Sequence, residues 1–135
     1  AKDVAGMLLD KGLDSTPNPN FVPKRKVMRF KYLSDEEKQR AIKRNPLYGT
    51  IVCRCETVTE GEIVDALNRP LPPQSLDAVK RRCSTGMGRC QGGFCGPRVL
   101  ALIAKYTNIS EVNIPMDREG MYIITGRTKR KGAVL

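Results

Sequence analysis

The sequence predicts a small, mainly α-helical domain with its cysteines in loops, irregular flanks and a short β-hairpin near the carboxyl end. Three observations carry this expectation. Two Ser/Thr-x-x-Glu capping boxes, Ser34–Glu37 and Thr59–Glu62, mark helix starts. Apolar residues recur at three- and four-residue spacing in Ile63, Ala66, Leu67 and again in Val99, Leu100, Ile103, Ala104. Between those helices lies RCSTGMGRCQGGFCG, residues 82–96, with three cysteines, five glycines and no periodicity.

The elements follow in chain order. Residues 1 to 11 fit an amphipathic helix stopped at Gly12. LDSTPNPNFVPKRK reads as a linker because Pro, Asn and Ser dominate it. VMRFKYL is an expected short strand, and the helix capped by Ser34 runs from about Asp35 to Lys43, ended by Asn45-Pro46. YGTIV, residues 48–52, is an extended lead-in to Cys53. The Thr59 helix stops before Arg69-Pro70 and Pro72-Pro73. Ser75 caps a third helix, with Asp77 in its first turn, Lys80, Arg81 and Arg82 in its last, and Gly86 and Gly88 ending it. Gly96-Pro97 opens the helix that runs to Tyr106. In the tail, EVNIP, the turn Asp117 to Gly120 and MYIIT form the expected hairpin.

Composition narrows the chemistry. At 135 residues, with no Trp, three Phe and four Tyr, the core is thin and aliphatic, the kind that benefits from a metal staple. No apolar run reaches the eighteen residues of a membrane span, and AKDVAGMLLDKG lacks the basic start and apolar block of a signal peptide. The chain reads as soluble and cytoplasmic, touching a membrane only through a partner subunit. Starting at Ala1 with an apolar helix face that nothing nearby covers, it reads as a piece of a longer protein. The formal net charge of +10 gathers in Lys24 to Lys26, Lys80 to Arg82 and Arg127 to Lys131, yet no nucleic-acid motif accompanies it. Solvated faces explain each cluster equally well.

Histidine is absent, which excludes mixed Cys/His zinc sites and His-based acid/base catalysis. Five cysteines in an intracellular chain point to a metal or redox site and away from a disulfide framework. Cys53 and Cys55, one residue apart on an extended segment, project their side chains to the same side. Cys90 and Cys95 are separated by Gln-Gly-Gly-Phe, whose glycines let the backbone wrap a bulky object. Together they make a four-thiolate cage. Zinc and a [2Fe-2S] cluster both remain open on ligand type; the uneven spacings and the glycines, which admit N–H groups to sulfur, favour the cluster. The helix starts at Thr59 and Pro97, with Arg54, Arg82 and Arg89, would offset its negative charge and favour reduction. Cys83 shares helical spacing with Leu76 and Val79 and reads as a buried, inert core residue.

IVCRCETVTEGEI, followed by SLDAVKRRCSTGMGRCQGGFC and a proline-started helix, resembles the bacterioferritin-associated-ferredoxin-like (BFD-like) [2Fe-2S] domain. More narrowly, it is similar to the form near the carboxyl end of anaerobic-type, FAD-dependent glycerol-3-phosphate dehydrogenases. The resemblance implies cluster ligation by Cys53, Cys55, Cys90 and Cys95 in a small helical fold. Cys83 stands where the family carries a non-cysteine, often threonine.

The implied organisation is residues 1–12 as the end of a missing flavin domain, 13–46 as a linker with one helix, 47–107 as the BFD-like domain and 108–135 as a tail. No GxGxxG pattern occurs, so FAD and substrate oxidation belong to the parent's missing part. There, the implied reaction moves hydride from the secondary alcohol of sn-glycerol 3-phosphate to FAD, giving dihydroxyacetone phosphate. Single electrons then pass from the cluster to an acceptor subunit. Two other readings stand beside this one: a free-standing ferredoxin-like module for an acidic partner, and a zinc-stapled nucleic-acid-binding module.

Overall fold

The computed structural model describes residues 1–16, 18–21 and 27–126. The basic stretches 24–26 and 127–131 lie outside the described residues. Helix α1 spans Lys2–Asp10, and none of its residues is buried. It closes as the sequence requires: Gly12 takes φ +87°, which glycine tolerates, and donates to the Leu9 carbonyl at 2.9 Å, while Leu13 N–H reaches the Leu8 carbonyl at 3.0 Å.

The segment VMRFKYL does not form a strand. A single 3-10 turn over Phe30–Tyr32 replaces it. A strand needs a neighbour for its N–H groups, whereas the Phe30 N–H is given to Glu62 Oε1 at 3.3 Å and the Phe30 ring is buried beside Tyr48, their centroids 6.5 Å apart. Helix α2, Asp35–Arg44, carries both halves of its capping box: Glu37 N–H donates to Ser34 Oγ and Ser34 N–H to the Glu37 carboxylate. After it, Pro46–Gly49 coils into another 3-10 turn, with Asn45 Oδ1 accepting from Leu47 N–H. The extended lead-in to Cys53 is therefore shorter than expected and starts beyond Gly49.

That turn pins Tyr48 against α3. A Cβ added at Gly61 would lie 2.9 Å from two atoms of the Tyr48 ring, and the ring is held by burial and by its hydroxyl donating to Asp65. Gly61→Ala is expected to destabilise the domain by about 1–3 kcal/mol, as overpacking does in a filled core. Chemical denaturation of the two proteins measures this directly.

A two-stranded antiparallel sheet leads into the helices: β1 is Ile51–Cys53 and β2 is Val58–Thr59, with an irregularity between Ile51 and Cys53. Helix α3, Glu60–Leu67, follows at once on the second capping box. Helix α4, Leu76–Cys83, begins with Ser75 Oγ accepting the Ala78 N–H at 3.1 Å. It ends earlier than Gly86: Ser84 takes the left-handed conformation, φ +65°, and its N–H closes on the Lys80 carbonyl. Helix α5, Gly96–Thr107, carries Pro97 in its first turn. These three helices pack on one another around Ile63, Val79 and Ile103, all fully buried, with Val52, Cys53 and Cys95 joining the same core from the sheet and the loop.

The carboxyl flank is tied to this core. Ile114 is buried, and the carbonyls of Pro115 and Met116 accept the otherwise orphaned N–H groups of Leu76 and Asp77 at the start of α4. The expected tail hairpin shrinks to one bridge, Pro115 to Tyr122, around a turn with Gly120 at φ +86°; EVN is a 3-10 turn. The Pro115 and Met116 carbonyls are already engaged by α4, which leaves little ladder to build. Among the described residues, no helix is long and apolar enough to cross a membrane.

Candidate metal centre

Cys53 ends β1 and turns into the core, where it is 1% exposed. The chain then leaves the strand: residues 54–57 form a turn, Thr57 adopts φ +51° and its N–H points to the Arg54 carbonyl. Cys55 sits in this turn and is exposed. Strand alternation, the basis on which the sequence pairs Cys53 with Cys55, thus does not operate; the turn brings the second sulfur round. Cys95, also 1% exposed, is the residue on which α5 begins, and Cys90 is half-buried in the preceding loop.

Thiols of the two loops approach one another. Cys55 Sγ and Cys90 Sγ are 3.5 Å apart. That is too far for a disulfide and close to the ~3.8 Å that separates two thiolates on one tetrahedral metal with bonds of about 2.3 Å. Cys53 lies near enough to Cys95 to raise its thiol, and Cys90 acts on Cys95 in the same direction more weakly. Among the described residues, no three His, Cys, Asp or Glu close on a single point. The Cys55–Cys90 separation suits two thiolates on one metal, whether zinc or an iron of a two-iron group.

The loop from Ser84 to Cys95 explains how these thiols meet. A Cβ at Gly88 would lie 2.2 Å from the Cys55 Cβ, so only glycine lets the two loops close. Gln91 and Gly92 both take positive φ, +48° and +85°, folding a turn between Cys90 and Cys95. The Gln91 side chain braces it by donating to the Gly88 carbonyl at 2.9 Å. The N–H groups of Phe94 and Gly92 lie near the Cys90 thiol. With the Phe94 donor strongest, then the Cys55 thiol and then Gly92, they hold the Cys90 thiol below its ordinary range. Burial, then the neighbouring Cys53, pushes Cys95 up to about 11, against the pull of the Gly86 N–H. Binding a cation there must expel that proton.

Helix α5, which follows Cys95, has no acidic residue in its first turn, so no side chain there offsets its N-terminal partial charge. The start of α3 differs, because Glu60 and Glu62 occupy its first turn and Glu62 takes the N–H of Thr59. Of the three arginines expected at the site, Arg54 lies over the Phe94 ring, 5.0 Å from its centroid, and so joins the two cysteine loops. Arg82 points elsewhere, donating to the Leu71 carbonyl, while its own carbonyl accepts from Arg29 at 2.7 Å. Arg89 is exposed beside Cys90.

Cys83 stands apart, as its spacing with Leu76 and Val79 indicates. It is buried, its Sγ is 3.5 Å from the Glu62 carbonyl, and burial pushes its thiol up to about 11. Cys83→Ser is expected to keep the metal content of the wild type and to lose about 1–2 kcal/mol of stability; metal analysis together with thermal unfolding tests both halves. Two contributors are not legible in the sequence. Gly88 is one glycine among five, and Phe94 carries no period; only the spatial neighbour of each reveals its part.

The family model of the BFD-like [2Fe-2S] binding domain matches residues 51–105. The chain is 49% identical over 111 residues to a glycerol 3-phosphate dehydrogenase of Caloramator mitchellensis, covering 82% of this chain and 23% of that protein. It is 40% identical over 60 residues to one subunit of the anaerobic glycerol-3-phosphate dehydrogenase of Escherichia coli strain K12, covering 44% of this chain and 11% of that one. To one subunit of the opine oxidase of Rhizobium meliloti strain 1021 it is 42% identical over 65 residues, 48% of this chain and 14% of that one. The chain therefore spans about a quarter or less of these relatives. No solved structure matches. Residues 51–105 of this chain, which include both cysteine-bearing loops, match the BFD-like [2Fe-2S] binding domain.

Proposed function

We propose that Cys53, Cys55, Cys90 and Cys95 hold the [2Fe-2S] group, and that this chain is the electron-transfer portion, near the carboxyl end, of an FAD-dependent dehydrogenase acting on sn-glycerol 3-phosphate. The 3.5 Å approach of the Cys55 and Cys90 sulfurs carries the ligand assignment, and Cys53, close enough to raise the Cys95 thiol, supports it. The 49% identity to the Caloramator dehydrogenase supports the substrate. When bound, the group supplies the chemistry of accepting and releasing one electron at a time.

The chain's own residues do the rest. Two buried thiols anchor the group in the core, and two outer thiols close over it. The N–H groups of Gly86, Gly92 and Phe94 stabilise sulfur carrying negative charge. The start of α5 and Arg54 add positive potential, which favours the reduced state. FAD and the substrate alcohol belong to a flavin domain of the same parent chain, in the cytoplasm, and the electrons leave for an acceptor subunit. Lys80 and Arg81 are engaged with Asp77 and Asp117, so this basic cluster is not laid out for phosphate, and the zinc-stapled nucleic-acid reading gains nothing from it.

The test is anaerobic reconstitution with iron and sulfide. Two irons and two acid-labile sulfides per chain, and a paramagnetic signal on reduction with dithionite, are the expected result. Zinc bound without sulfide would overturn the assignment. In the intact parent protein, anaerobic glycerol 3-phosphate should produce the same signal. A group that forms but stays oxidised would sink the substrate alone.

A further inference from the structure

The four sulfurs are unequally sheltered. Cys53 and Cys95 lie in the core, whereas Cys55 is exposed and Cys90 half-buried, so the site opens on one corner. Three apolar side chains stand on the flanking loops and strand with about half or nearly half of their surface free: Met87 at 50%, Phe94 at 49% and Ile51 at 40%. Arg54 covers the Phe94 ring and Arg98 Nη1 donates to the Ile51 carbonyl at 3.3 Å, while Arg89 separates Gly88 from Cys90. Among the described residues, none of these three arginines enters an ion pair, unlike Lys80 and Arg81. The stretch 82–98 contains no carboxylate, and Glu56, beside Cys55, is neutralised by Lys31 at 3.2 Å.

We propose that this corner is the docking face for a one-electron redox protein that presents an acidic rim around a small apolar patch. The proposal rests on the reading that the four cysteines hold a [2Fe-2S] group, and names the face and the chemistry of its partner. Met87, Phe94 and Ile51 supply apolar area that contact removes from water, and the unpaired arginines supply steering and register. The face is small, which suits an encounter that must end after each transfer. The step moves one electron and no atom: the reduced group is oxidised, and the partner's acceptor is reduced.

Charge at the corner can be separated from the overall charge of +10. The full chain, loaded and reduced, is reoxidised by hexacyanoferrate(III), a trianion, by hexaammineruthenium(III), a trication, and by an acidic flavodoxin. At low salt the combined variant Arg54→Glu, Arg89→Glu is expected to lower the trianion-to-trication rate ratio at least about tenfold, and high salt should erase the difference. Arg40→Glu with Lys43→Glu, on exposed α2 positions, makes the same change in net charge and should leave the ratio within about twofold. Phe94→Ser should slow the flavodoxin alone.

A second measurement needs no iron. In the metal-free chain, an anionic methanethiosulfonate should label Cys55 and Cys90 faster than its cationic counterpart, with the preference inverted by the arginine reversals. Equal ratios in wild type and corner variant, an equal response to the α2 pair, or a flavodoxin rate indifferent to every substitution would overturn the docking face. A chain that takes up no iron and sulfide would instead sink the ligand assignment, and the labelling arm would still judge the corner.

Discussion

Serine at any one of positions 53, 55, 90 or 95 is expected to remove essentially all of the iron and sulfide, whereas Cys83→Ser removes none. The hydroxyl of serine is not ionised at neutral pH and is a harder donor than thiolate, so one such change leaves an iron short of a ligand. The four sites should differ in what happens to the protein. Cys53 and Cys95 belong to the buried core, and a serine there places a polar group among Val52, Val99 and Ile103, at a cost of about 1–3 kcal/mol unless it finds a partner. Cys55 and Cys90 lie at the surface corner, so their serine variants should fold as the metal-free wild type does. Iron and sulfide analysis with circular dichroism on the five single variants measures this pattern. Full metal content in Cys55→Ser or Cys90→Ser would end the ligand assignment, and loss of metal in Cys83→Ser would mean that the ligand set has been misdrawn.

Gly88→Ala is expected to reach the same metal-free state without touching a ligand. The added methyl would sit 2.2 Å from the Cys55 Cβ and 3.3 Å from its Sγ, so the turn of residues 54–57 and the glycine loop must part. Sulfur separations set by bonds of about 2.3 Å leave no room for such a displacement. Gly96→Ala, in the same loop region, meets nothing within 4 Å and should keep its metal. Both variants are expected to melt within a few degrees of the metal-free wild type, because the methyl at 88 acts on an exposed turn. The decisive comparison is metal content at equal secondary structure. An iron-replete Gly88→Ala protein would show that the loops do not close in this way.

What can be read from the chain alone is whatever depends on neighbours in sequence. Capping at Ser34, Thr59 and Ser75, the Gly12 stop and the Pro97 start are satisfied within one helical turn, so they appear where the residues require them. Cys83 is equally legible, since its place on the α4 face follows from helical period. The cysteine set is legible as a set, because thiolate chemistry and histidine's absence leave few uses for it.

Only the tertiary structure decided how the sulfurs pair. Cys55 meets Cys90, 35 positions away, through a turn where the sequence predicts strand alternation. Long-range partners also converted the anticipated strand at VMRFKYL into a turn, with Glu62 taking the Phe30 N–H, and reduced the tail hairpin to one bridge as α4 claimed the Pro115 and Met116 carbonyls. The open corner and its unpaired arginines are likewise invisible in one dimension. The physical reason is common to all of these: a backbone donor or a sulfur lone pair goes to whichever partner packing brings within reach, and no local pattern encodes that distance.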